Sequence, residues 1–129
     1  MAKYYVQSGN IEVVLQADSV EKAALAAVDQ SLQSHLWIYD DADLSEADCR
    51  DHLMLEALLH MEPSIRVSER GFHRDDAEQI GTPEMIQHWH KLMVGMRRLF
   101  VIAGLGNRTM GAVASDQPQT QVSLPRLPR

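Results

Sequence analysis

Apolar and polar residues alternate strictly at the start of the chain. Tyr4, Val6, Ile11, Val13 and Leu15 share one side of two short runs, against Tyr5, Gln7, Glu12, Val14 and Gln16 on the other. A period of two predicts a pair of strands, and Ser8, Gly9 and Asn10 between them supply turn residues, so the opening is a β-hairpin. The period then lengthens. Asp18 and Glu21 have the spacing of a capping box, and Ala24, Leu25, Val28 and Leu32 recur at helical intervals, with alanines at 23, 24, 26 and 27 that let a helix approach a sheet closely. Residues 36–39 are large, apolar and partly β-branched, which predicts a third strand ending at Asp40 and Asp41. Asp43 and Glu46 repeat the cap spacing before a second helix from Leu44 to about Met61, closed by Pro63. Ile65 and Val67 predict a fourth strand, leaving through Gly71 as a bulge or a positive φ, and residues 74–81 fit a single helical turn.

The strongest pattern lies between 82 and 103. Thr82 is placed to cap, Pro83 to occupy the first helical position and Glu84 to sit against the positive end of the dipole. At 100° per residue Met85, Trp89, Leu92, Met93, Met96, Leu99 and Phe100 form one stripe, while His88, His90, Lys91, Arg97 and Arg98 fall outside it. Gly104 and Gly106 end the helix. Its length is roughly 33 Å at 1.5 Å per residue, comparable with the full diameter of a domain whose radius of gyration is about 13 Å. One body therefore cannot easily cover both ends. The stripe serves either as core or, over residues 93–103, as a contact for another helix, and the polarizable methionines suit both roles.

The elements together predict an α+β fold of order β-β-α-β-α-β-α, a small and mainly antiparallel sheet with helices on one face and a long C-terminal amphipathic helix. Residues 1–106 form one domain, since 129 residues are too few for two ordinary cores. After residue 106 the composition turns to Asn, Ser, Gln, Thr and Pro, which predicts a disordered tail over 107–129, ending in a minimal PxxP. In element order alone the ββα opening resembles double-stranded RNA-binding-like modules and small antitoxins. The lysine-rich helix start of the former is replaced here by Asp43, Glu46 and Asp48.

Composition narrows the function. With 45% apolar and 23% charged residues the body is globular. One cysteine, Cys49, excludes an intrachain disulfide, and no secretory leader is visible, which together suggest a cytoplasmic protein. The apolar run 99–105 is far shorter than the roughly 20 residues of a membrane span. Of the 12 basic and 18 acidic side chains, Arg108, Arg126, Arg129 and Asp116 lie beyond residue 103, leaving the body with 9 and 17, a net charge near −8. Such a body repels a phosphate backbone, so nucleic acid is not an expected partner.

Three constellations carry chemistry. Arg66, Arg70, His73 and Arg74, with Phe72 among them, form a local basic patch able to grip an anion or stack a base, although Glu69, Asp75, Asp76 and Glu78 are near enough to neutralise it. Cys49, His52, Glu56 and His60 share one side of the second helix, but only neighbours such as His52 and Glu56, or Glu56 and His60, are close enough for one metal ion. That arc reads as a solvated face, opposite Met54, Leu58 and Met61. Cys49 beside Asp48 and Asp51 is a poor thiolate. Trp37, Tyr39, Tyr4 and Tyr5 read as core or edge packing. No catalytic signature, cofactor or small-molecule site is expected. The leading expectation is a non-enzymatic interaction or assembly module, a homo-oligomer or protein binder using Met85, Trp89, Leu92, Met93, Met96, Leu99 and Phe100. RNA or anion binding through the arginine patch comes second, and a metal-dependent hydrolase built on His52, Glu56 and His60 third.

Overall fold

A computed structural model of the chain describes residues 1–104 and Met110. Strands β1 (Ala2–Ser8) and β2 (Ile11–Ala17) form the opening hairpin, with Val6 opposite Val13 and Tyr4 opposite Leu15. β3 (Ser64–Ser68) pairs antiparallel with β1, setting Val67 against Val6. β4 (Glu78–Gly81) pairs antiparallel with β3, setting Ile65 against Ile80. The sheet order is β2-β1-β3-β4. Tyr4, Val6, Ile65 and Val67 are buried on one face, and helices α1 (Val20–Leu32), α2 (Glu46–His60) and α3 (Thr82–Ile102) lie on that side. The fold is thus the expected small antiparallel α+β domain ending in a long helix.

Two elements differ from expectation. Residues 36–39 are not a strand but part of a 3-10 helix, Gln33–Asp40, that continues directly from α1. Three residues per turn eclipses positions i and i+3, so Leu36 and Tyr39 point inward together, with Ile38, while Trp37 remains about half exposed. The missing strand is β4, where a helical turn was expected. Ile80 is its one apolar residue, so no period marks it, and pairing with Ile65 makes it a strand.

The caps also move. Ser19, not Asp18, caps α1 by accepting the Lys22 N–H at 3.2 Å, and Asp18 pairs with Lys22. The box of α2 is Ser45 with Asp48, each side chain accepting the other's backbone N–H at 3.1 Å, two residues beyond the Asp43 and Glu46 spacing. Gly81 caps α3, with Pro83 in the first turn. This frees Thr82 for a tertiary role. Its fully buried hydroxyl donates to the Glu62 carbonyl at 2.6 Å and its N–H to the Pro63 carbonyl at 2.8 Å. Ser8 Oγ accepts the Glu62 N–H at 2.9 Å and lies 2.9 Å from the Ser64 carbonyl. The α2–β3 connection is thereby tied both to β1 and to the start of α3. Thr82→Val should cost about 1–2 kcal/mol, the usual cost of removing one partner from a buried hydrogen bond, while Thr82→Ser retains the donor. Urea denaturation of the two variants checks this, and equal loss in both would place the effect in packing instead.

α2 and α3 run side by side in opposite directions, since Glu46 at the start of α2 bonds Arg98 late in α3, and the chain after α2 meets Thr82. The last turn of α3 therefore runs past the first residue of α2. Met110 is fully buried and its N–H donates to Asp40 Oδ1 at 2.8 Å. The rest of the expected tail, including the PxxP segment, lies outside the described residues.

Candidate functional site

The stripe of α3 divides in two. Met85, Trp89 and Met93 are buried in the core, and the Trp89 indole N–H donates to Asp29 Oδ1 at 3.0 Å. Leu92 is 45% and Leu99 63% exposed, while Met96 and Phe100 are half-buried against the core edge. Val101 and Ile102 extend the exposed surface at 62% and 80%. α3 packs on α1 and the sheet, and among the described residues the exposed part of its stripe lies mainly toward its distal end.

α2 carries a second apolar surface that its sequence pattern conceals. Cys49, Leu53 and Ala57 face the core, so the arc expected to be solvated is partly buried through Cys49. On the outer side Leu55 and Leu59 are about two-thirds exposed and Leu58 is also exposed. At positions i, i+3 and i+4 these three leucines form one patch. Asp48 and Asp51 are exposed on the same outward side, one and two turns earlier.

α3 also buries Ile86, His90 and Val94, a second inward face outside the expected stripe. His90 Nδ1 lies 2.8 Å from the Tyr39 hydroxyl, and the two rings stack with centroids 5.7 Å apart. Burial, helped by Arg50, pushes the imidazole below its ordinary value and keeps it neutral near pH 7. Burial likewise raises the Tyr39 phenol and the Cys49 thiol, the latter assisted by Asp48, Asp41 and Glu46. The Cys49 thiol donates to the Ile38 carbonyl at 3.4 Å, a structural bond for a poorly nucleophilic sulfur.

The arginine patch is largely neutralised within its own loop. Arg74 forms a two-pronged pair with Asp76 at 2.9 and 3.1 Å, and Arg70 reaches the same carboxylate at 3.7 Å. His73, at φ +59°, turns instead to the open face of the sheet, where Gln7 and Glu12 hold its ring. Phe72 meets Tyr5 edge to face at 5.2 Å. Arg66 stands apart from these, between Gln7 and Gln79 in the sheet register. The four residues do not converge on one point. Among the described residues no three His, Cys, Asp or Glu side chains are grouped to hold a metal ion. Glu56 lies 3.9 Å from His35 Nε2 across a partly exposed ion pair, and the His52 ring packs 6.4 Å from that of His35.

Compared with protein-family models, curated proteins and solved structures, the chain matches none. No described helix is long and apolar enough to cross a membrane.

Proposed function

We propose that this domain is a non-enzymatic assembly module that pairs with a second copy of itself, the distal end of α3 in one copy lying on the outer face of α2 in the other. The observation carrying this reading is that the two exposed apolar patches bear opposite charge. Residues 85–104 contain Lys91, Arg97 and Arg98 and no acid, whereas on the outward side of α2 the exposed Asp48 and Asp51 accompany the leucines, Glu46 and Glu56 being turned to Arg98 and His35. Each copy offers both patches, so a two-fold axis satisfies them reciprocally. Arg98 and Arg97 are already paired at the surface with Glu46 and Asp40, but exposed pairs contribute little and can be exchanged. A cytoplasmic setting suits the free thiol of Cys49.

Sedimentation velocity of the full chain tests the reading. A dimer should form and should dissociate in both Leu99→Glu and Leu55→Glu, with circular dichroism unchanged. Mixing the two variants should restore dimer, since one intact α3 end then meets one intact α2 face. A monomer at every accessible concentration, or a dimer indifferent to both substitutions, defeats it.

A further inference from the structure

Between the start of α2 and the middle of α3 lies a groove of about 480 Å³ whose walls include Glu46, Arg50, Gln87, His90, Lys91 and Arg98. This lies within the usual range for small-molecule sites, roughly 300–1,000 Å³. Its polar groups are mainly donors. The one lining carboxylate, Glu46, is taken by Arg98 through two hydrogen bonds at 2.9 and 3.1 Å. Lys91 is exposed and has no ionic partner among the described residues. Arg50 bonds Asp51 at 3.2 Å through one edge of its guanidinium, which leaves other N–H groups for a ligand.

The informative residue is His90, only 7% exposed. Its Nδ1 is committed to Tyr39 at 2.8 Å. A buried phenol keeps its proton and needs an acceptor, and a neutral imidazole provides one, so Tyr39 donates to Nδ1 and the ring proton sits on Nε2. Nε2 has no protein partner among the described residues, and His90 is one of the residues that line the groove. A buried N–H without a partner is costly unless something completes it.

From this geometry we infer that the groove binds a small phosphate monoester, its terminal oxygens accepting from His90 Nε2–H, Lys91 and Arg50. Three separate donors match a tetrahedral head with three terminal oxygens better than a planar carboxylate with two. Val94 and Gly95 supply an apolar wall for the organic part, and a Cβ added at Gly95 would meet nothing within 4 Å. His90, the groove's central group, is buried inside the domain and lies on neither exposed apolar patch.

Titration of the full chain with glycerol phosphate, followed by amide and imidazole NMR shifts, decides the matter, with sodium acetate as the carboxylate control. Saturable shifts at His90, Lys91 and Gly95 are expected, with acetate binding about tenfold more weakly. Lys91→Gln, which removes a charged donor at an exposed position, should raise Kd about tenfold, the ordinary worth of a charge-assisted hydrogen bond. Gly95→Leu fills the wall without changing charge and should weaken binding comparably. Absence of saturable shifts at His90, binding that survives both substitutions, or acetate binding as tightly as the ester would overturn the proposal.

Discussion

Trp89→Ala is expected to remove about 3–5 kcal/mol of folding stability, the usual range for truncating a buried aromatic. Trp89 is 1% exposed in the middle of α3, and its ring lies 6.3 Å from that of Tyr39. Truncation opens a cavity where α3 meets the rest of the core. It also strips Asp29 Oδ1 of the indole donor at 3.0 Å, while Oδ2 keeps the Gln33 amide at 3.2 Å. A domain of this size holds about 5–15 kcal/mol in total, so the loss is a large share of it. With a urea slope of about 1–3 kcal/mol per molar, the midpoint should fall by at least about 1 M. Trp89→Phe retains an aromatic ring and isolates the Asp29 bond, at a cost of about 1–2 kcal/mol. Measurements at one fixed protein concentration keep self-association from masking the difference. A loss below about 1 kcal/mol in the alanine variant would mean that α3 is anchored elsewhere.

What the sequence reveals and conceals follows from which interactions are local. The hairpin was legible because Val6 with Val13 and Tyr4 with Leu15 keep a strict period of two on a half-covered face. Met85, Trp89 and Met93 were legible as one side of a helix, but Ile86, His90 and Val94 were not, because α3 is buried on two sides and a single stripe describes one. α2 shows the reverse. Leu58 reads as lying opposite a solvated arc, yet it is exposed with Leu55 and Leu59, while Cys49 from that arc is buried with Leu53 and Ala57. The 3-10 helix leaves no mark of its own because Leu36 to Tyr39 carry strand-like residue types, and packing, not propensity, decides between the two. Tyr39 and His90 lie 51 residues apart, so their contact leaves no local trace. By contrast Asp76 is two residues from Arg74, and the neutralisation of that patch could be anticipated from spacing alone.

Gly9→Ala is the second substitution expected to have a large effect, at least about 2 kcal/mol, because two costs coincide at one position. Gly9 opens the hairpin turn at φ +56°, a conformation that L residues adopt only with strain. Its missing Cβ would also stand 2.5 Å from the His60 carbonyl oxygen and 3.1 Å from Met61 Cα. Both are backbone atoms at the end of α2, so no side chain can rotate away. The same carbonyl accepts the Asn10 N–H at 2.9 Å, which means the turn is docked on α2 and cannot move outward without losing that bond. Gly9→Asn separates the two costs, since asparagine tolerates positive φ better than alanine but brings the same Cβ. Asparagine should therefore be milder than alanine yet still destabilising by chemical denaturation. Hydrogen exchange at the Asn10 amide should accelerate in both variants, reporting the separation of the hairpin from α2. Unchanged protection there, with stability within about 0.5 kcal/mol of the parent, would show that the turn adjusts without help from α2, and the close approach would then be incidental to the fold.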